Sequence, residues 1–362
     1  MRSNAFVLYE HDVAYRPHAS AYLRLLRPLA HPSISDLVAM DQGLTYRQED
    51  TDVVILDRFW RPDVTRAKAE AVVERARRAG ARFVYAVDDD LLNLPTRITN
   101  VAGVGVQWPT DDHRQAMAFL LGEADAVWVT THPLRDRYLA LNPSITVLPN
   151  CLDEGLLPLP RRAGVGTGNE ELVIGYMGTP THDSDLRMVL PALREVCSRH
   201  MGQVVLEIIG GTASAETRGE LRELPVRFPV PPPIDHEYPF FLMWFTRARR
   251  WDVAIAPLGE SDFNECKSDI KFLDYAAIGA ASVCSRVPAY ERTVHHRGTG
   301  MLVENSVDAW VGALDELLAD ADLRKSISTE AMRYLHTERT LARRASDWSS
   351  ALVAVGGARG RR

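Results

Sequence analysis

Lys267, Lys271 and Asp274 stand close together in the sequence. In a helix that begins near Lys267 they occupy positions i, i+4 and i+7, which share one face at about 100° per residue. Two lysines four residues apart repel by about 0.2–0.5 kcal/mol on an isolated helix. A bound diphosphate reverses the sign of that interaction, and a helix N-terminus adds to the attraction. Asp274 is then placed to accept hydrogen bonds from ribose hydroxyls. Of 42 lysines and arginines only four are lysine (Lys68, Lys267, Lys271 and Lys325). Two of those four within five residues suggest that a compact ammonium is wanted there. The plainer alternative is a solvated Lys267, with Lys271 paired to Asp274.

Other groups are candidates for the same or a facing site. Gly178 and Thr179 close an apolar run, and His182 and Asp183 follow before a helical pattern. Glycine there lets the backbone approach a ligand closely, although Thr181 or Asp183 capping the helix is the simpler account. Gly210-Gly211 ends a second apolar run, as a phosphate loop or an ordinary turn. Asp88, Asp89 and Asp90 end a third. Three carboxylates suit a divalent cation bridging a diphosphate, contact with an acceptor, or a solvated strand end; acceptor contact is preferred. The first loop contributes His11, Arg16 and His18, with Arg24 on the helix after it. Trp60, Trp108, Tyr238 and Trp244 suit either sugar stacking or the core.

Elements that would position these groups alternate along the chain. Short apolar runs at Ala5–Tyr9, Val53–Asp57, Phe83–Val87, Ala126–Thr130 and Ile145–Leu148 are separated by amphipathic stretches, including Ala19–Leu29, Val64–Ala79 and His113–Glu123. After a proline- and glycine-rich break at Pro149–Glu171 the pattern restarts. Strands are predicted at Leu172–Met177, Val204–Ile209, Val226–Pro229, Val253–Pro257, Ser282–Ser285 and Met301–Val303. Helices are predicted at Asp185–Arg199, Phe240–Arg249 and Ile270–Ile278, and throughout Ala309–Val355. Such alternation predicts parallel sheets covered by helices. The domains expected are 1–155, a linker 156–170, 171–335, and a C-terminal helix and tail 336–362 that packs back on the first domain. In doubly wound sheets ligands bind beyond the carboxyl ends of the strands, so two such domains facing each other make a cleft.

Composition narrows the function. A net charge of −6 argues against a general nucleic-acid binder. No apolar run approaches the ~20 residues that span a bilayer, and Met1–Glu10 does not read as a signal peptide. Cys151, Cys197, Cys266 and Cys284 lack metal-type spacing and are expected as free thiols in the cytoplasm. Three arginines in Ala358–Arg362 allow weak contact with the inner face of a membrane, although a disordered tail accounts for them equally.

The stretch DVAIAPLGESDFNECKSDIKFLDYAAIGAASVCSRVPAY (252–290) resembles the donor-binding region of retaining family-four bacterial glycosyltransferases. The resemblance extends in order through YAVDDDLLNLP (85–95), ADAVWVTTHPLRDRYL and VLPNCLD (124–153), VIGYMGTPTHDSDL (173–186) and VLEIIGG (205–211). It implies a GT-B fold: two Rossmann-like α/β domains facing across a cleft, the first binding the acceptor and the second a nucleotide sugar. It also implies a metal-independent hexosyl- or deoxyhexosyltransferase that needs no cofactor and acts with retention in glycan or glycoconjugate assembly. The acceptor would be a glycan, a lipid-linked molecule or a small molecule. Asp274 matches the second, ribose-binding acid of the family's E-x7-E motif, while Cys266 stands where the first acid belongs. Lys267, Lys271, Glu265 and His182 are then the catalytic candidates. Gly178, Thr179, Gly210, Gly211, Asn264, Ser268 and Asp274 are the donor-binding candidates, and Asp88, Asp89, Asp90, Arg16 and His18 lie on the acceptor side. A metal role for Asp88–Asp90 would instead be that of a GT-A enzyme, whose single nucleotide-binding domain leaves the second α/β half unexplained. Cys266 keeps three alternatives open: a non-catalytic sugar-binding or partner subunit, a nucleotide-sugar epimerase, and a tailoring enzyme of a secondary metabolite.

Overall fold

A computed structural model of the chain describes residues 2–47, 50–95, 97–101, 104–158, 171–232 and 237–356. Most of the expected linker and the arginine-rich tail Ala358–Arg362 lie outside the described residues, as does Pro233 at the end of the proline-rich loop. The chain divides into two compact units. Unit 1 comprises Met1–Asp153, Cys266–Ser268 and Leu341–Arg362, and unit 2 comprises Glu154–Glu265 and Asp269–Thr340.

Unit 1 contains strands β1 (Ser3–Leu8), β2 (Val38–Gly43), β3 (Val53–Asp57), β4 (Arg82–Ala86), β5 (Arg97–Val101), β6 (Val104–Trp108), β7 (Ala126–Val129) and β8 (Ile145–Val147). Six of them form a parallel sheet in the order β2-β1-β3-β4-β7-β8, and β5 pairs with β6 antiparallel. β3 is buried along its whole length. A parallel strand covered by helices on both faces reads as such a continuous apolar run. β2, by contrast, carries Asp41 and Gln42 and lies at the sheet edge, so its residues give no apolar run and the sequence reading passed over it.

Unit 2 repeats the scheme with β9 (Leu172–Gly178), β10 (Val204–Gly210), β11 (Val226–Arg227), β12 (Val253–Ala256), β13 (Ala281–Ser285) and β14 (Met301–Val303), parallel in the order β11-β10-β9-β12-β13-β14. Its helices are capped by short polar side chains. Ser214 accepts from Thr217 N, Ser306 from Ala309 N and Asp320 from Leu323 N, each satisfying one orphan donor of a first turn. Helix Ile270–Ile278 ends at Gly279, whose φ of 73° is left-handed.

The region expected to be helical throughout is three helices, Val307–Ala319, Ala321–Glu338 and Leu341–Gly356. The first two belong to unit 2. The last lies in unit 1, where Leu341, Ala345, Trp348 and Leu352 join Leu25, Leu26 and Leu29 in the core. A backbone vacancy receives this helix. Residues 19–29 are helical but pass through a π turn at Tyr22–Leu26. Pro28 has no N–H to give to the carbonyl of Arg24; the indole Nε1 of Trp348 donates to that carbonyl instead, at 2.6 Å.

Where the chain re-enters unit 2 at Asp269 and leaves it after Thr340, two side chains meet. Arg339 donates to both carboxylate oxygens of Asp269 at 2.6 and 2.8 Å, and to Tyr334 Oη at 3.2 Å. Arg339 and Asp269 are 7% and 6% exposed. Removing one partner of a buried pair leaves an uncompensated charge, at a cost of about 3–5 kcal/mol. Arg339→Ala should lower unfolding stability by that amount in urea titration, whereas an exposed pair such as Arg66–Glu70 should contribute about 1 kcal/mol or less.

Candidate functional site

In each sheet the strand order reverses beside the first strand, and the loops that follow the strands on either side of the reversal diverge. Ligands of doubly wound sheets bind at such switch points. In unit 2 the reversal falls between β9 and β12, and in unit 1 between β1 and β3.

At the unit 2 switch point the backbone is drawn in tightly. Gly211 N donates to Gly178 O at 2.6 Å, which closes the end of β9 against the end of β10. Gly210 and Gly211 have φ of 65° and 78°, and a Cβ on Gly210 would lie 2.2 Å from Gly178 O. A Cβ on Gly178 or Gly211 would strike the Tyr176 side chain at 2.6 and 2.8 Å. No side chain fits at these three positions, so the carboxyl ends of β9 and β10 present bare backbone to a ligand.

The turn after β9 is held by Asp185. Its Oδ2 accepts from His182 Nδ1 at 2.7 Å, and its Oδ1 accepts from Gly259 N, in the loop after β12, at 2.8 Å. Burial would raise the pKa of Asp185, but the hydrogen bonds from His182 and Gly259 and the charges of His182 and Lys271 outweigh burial and lower it. The same loop is braced by Asn264, which donates to Gly259 O at 2.8 Å. Asp183 accepts a short hydrogen bond from Thr212 Oγ1 in the loop after β10.

Lys271, 9% exposed, points inward with Nζ 5.1 Å from the centre of the Tyr176 ring. Asp274, one turn along the helix, is 5% exposed, and burial pushes its carboxyl up to about 8 even though Lys271 pulls the other way. Burial and the charges of Asp185 and Asp183 likewise raise the Tyr176 hydroxyl.

The unit 1 switch point is an ionic network. Glu10 follows β1, while Arg58 follows Asp57 at the end of β3 and is left-handed at φ 47°. Arg58 Nε lies 3.1 Å from Glu10 Oε2 and 3.5 Å from Asp88 Oδ1. Burial lowers the tendency of Arg58 to stay charged, but Glu10 and Asp88 more than offset it and raise its pKa. Asp57, whose Oδ2 accepts from Glu10 N at 3.2 Å, is pushed up to about 8 by burial and by the charges of Glu10 and Asp88. Lys267 Nζ sits 3.5 Å from Asp89 Oδ2.

These placements revise the charged stripe. The helix begins at Ile270, so Lys267 does not share it with Lys271 and Asp274. The cause is local: Cys266 O accepts from Thr131 Oγ1 and Ser268 Oγ accepts from Asn150 Nδ2, both at 2.8 Å, so unit 1 side chains fix residues 266–268 out of helical form. Ser268 therefore lies with unit 1 rather than beside Gly178. Glu265 is exposed on the short helix Asp262–Glu265, and Cys266 is fully buried. Asp88, Asp89 and Asp90 diverge. Asp90 is enclosed, taking hydrogen bonds from Tyr138 Oη at 2.8 Å and from Asn93, while Asp88 faces Arg58 and Asp89 faces Lys267. Among the described residues no group of three His, Cys, Asp or Glu side chains is placed to hold a metal ion.

In the first loop Arg16 is tied to Asp12 and His18 precedes the first helical turn with no capping bond from its side chain. Arg24 is 2% exposed and donates to Leu148 O, which removes it from any surface role. Trp60 is buried with its indole donating to Leu44 O; Trp244 packs on Phe241 and under Arg249. All four cysteines are free and buried. Sequence reading missed Asp185, Tyr176 and Gly259 in unit 2 and Glu10, Asp57 and Arg58 in unit 1. The one local signal was the i, i+3 spacing of His182 and Asp185.

Two doubly wound units with parallel six-stranded sheets and a helical C-terminus constitute the GT-B fold, the architecture of a large class of glycosyltransferases. Residues 171–320 match the family model described as glycosyl transferases, group 1. Sucrose-phosphate synthase from Thermosynechococcus elongatus is similar in structure, with a TM-score of 0.66 and 15% identity over 99% of this chain and 100% of that one. HepE from Anabaena, solved with UDP and glucose, gives 0.65 with 11% identity over 98% and 100%. WaaG, a glycosyltransferase involved in lipopolysaccharide biosynthesis, gives 0.62 with 13% identity over 96% and 99%. No curated protein matches the sequence.

The buried Asp274 has a consequence for stability. Its carboxyl moves from the ordinary 3.8 to about 8 on folding, so between those values the folded chain keeps a proton that the unfolded chain has released. Its contribution is full below the lower value and is lost as pH rises towards the upper one. Asp274→Asn should therefore stabilise the chain relative to wild type by an amount that grows from pH 5 to pH 8, by up to about 1.4 kcal/mol per pH unit. A difference in Tm that stays constant over that range would count against a neutral buried carboxyl.

Proposed function

We propose that the chain is a glycosyltransferase that moves a sugar from a nucleotide diphosphate to a hydroxyl acceptor, with the diphosphate at the unit 2 switch point. The observation that carries this reading is the convergence there of side-chain-free backbone at Gly178, Gly210 and Gly211 with His182 and Lys271. Bare backbone admits phosphate oxygens, and the two basic side chains offset the charge that grows on the leaving diphosphate. HepE, of similar fold, has been crystallised with UDP-glucose. Thr179 and Asn264 belong to the same loops, and Asp274 supports Lys271 from the same helix.

The acceptor is assigned to the unit 1 switch point, where Glu10, Arg58, Asp88, Asp89 and Lys267 offer donors and acceptors suited to hydroxyl groups. The finer features follow the sequence resemblance: retention of configuration, a hexosyl or deoxyhexosyl group, no metal requirement, and a place in cytoplasmic glycan or glycoconjugate assembly. Among the described residues no helix is long and apolar enough to cross a membrane.

A second reading, a sugar-binding subunit without turnover, is favoured by one observation: Cys266, in the place of the first motif acid, is fully buried. A thermal-shift screen against UDP-, GDP- and dTDP-sugars decides the first question, since a ligand of the native state raises Tm according to its affinity. With the donor so found, turnover should be measurable in the presence of EDTA and should fall about tenfold or more in Lys271→Ala, as loss of one charge-stabilising group does. Binding without turnover favours the second reading, and full activity in Lys271→Ala removes that residue from the chemistry.

A further inference from the structure

The carboxylate of Asp185 has no assigned part in the reading above, yet it joins three pieces of the unit 2 site. It lies in the first turn of the helix Asp183–Arg199. One oxygen holds His182, in the turn after β9, and the other holds the backbone N–H of Gly259, after β12. The switch point is thus bridged by a single side chain, 6% exposed.

We propose that Asp185 is a positioning residue that fixes the tautomer and orientation of His182, so that Nε2 is the nitrogen that presents a proton to the donor phosphate. The proposal rests on the donor reading above. An ionised carboxylate only accepts hydrogen bonds, so its partner nitrogen, Nδ1, carries hydrogen in both charge states of the ring. Gain or loss of a proton then occurs at Nε2. A phosphate oxygen favours the protonated ring, and the Asp185 charge behind it does the same. The other ionisable groups facing Asp185 are Lys271 from the helix Ile270–Ile278, Tyr176 from β9, Asp183 on its own helix and Tyr290 from the helix Pro288–Glu291. Lys271 opposes a second positive charge, and Asp183 supports it. The loop is rigid enough to hold a direction, since Gly259 O is also tied to Asn264.

A purely structural cap would leave the chemistry of the imidazole unchanged, so the test reads the ring itself. Long-range nitrogen–proton NMR of the histidine side chains in the intact chain reports tautomer and titration, with His182 identified by its absence from His182→Gln. Wild type should show the neutral ring as the Nδ1–H tautomer. In Asp185→Asn the titration midpoint of His182 should fall, and UDP, used as the probe, should bind about tenfold more weakly at pH 6, as loss of a charge-assisted hydrogen bond of about 1.4 kcal/mol implies. An Nε2–H tautomer in wild type overturns the proposal even if the variant fails to fold, and so does an unchanged midpoint in a folded variant. The tautomer and midpoint as stated, with no response of His182 to UDP, would overturn the donor reading and leave the coupling of Asp185 to His182 standing.

Discussion

A guanidinium and a carboxylate, both almost out of contact with water, meet where the chain enters the helix Ile270–Ile278. Asp269 is the residue before the first helical turn, and Arg339 is the next to last residue before the chain leaves unit 2. Their bidentate pair sets where that helix starts, and therefore which residues it directs inward. Had the helix begun three residues earlier, Lys267 would share a face with Lys271. Because it does not, a single lysine of the pair lies over Tyr176, and the other stands beside Asp89. Burying an ion pair is justified energetically only when the geometry is good on both sides, and the fork-to-fork contact here meets that condition.

The two switch points solve the same problem with opposite chemistry. In unit 2, three positions cannot hold a side chain at all, so recognition falls to backbone and to a few flanking bases. In unit 1 the corresponding space is filled by charged side chains that satisfy one another: Glu10, Arg58 and Asp88, with Asp57 beneath them. The first arrangement suits an anion that brings its own charge. The second suits neutral, hydroxyl-rich groups that exchange hydrogen bonds without adding charge to a buried network.

Much of this was legible in the residue order. Strands such as β3, β10 and β12 are covered on both faces, so their apolar runs survive in the sequence, and the glycines at 178, 210 and 211 lie where those runs stop. What was hidden depends on partners far along the chain. Residues 266–268 leave the helix because of Thr131 and Asn150, 135 and 118 positions away from the residues they bind. Asp185 meets Gly259 across 74 positions. β2 carries polar residues at a sheet edge, and only its pairing with β1 makes it a strand. No local propensity encodes such contacts, and the E-x7-E spacing located Asp274 without revealing that it is enclosed and protonated.

The carbonyl that Pro28 leaves without a backbone donor is filled by Trp348, from the far end of the chain. Ribosomes deliver the N-terminus first, and N-terminal domains commonly fold while synthesis continues. Here the first unit made cannot be the first completed: its core lacks Leu341, Ala345, Trp348 and Leu352 until the second unit has been translated in full. A nascent chain stalled before residue 341 would expose the apolar seat of that last helix, a surface of the kind chaperones bind, and a chain clipped there would lose the closure of its oldest part rather than its newest.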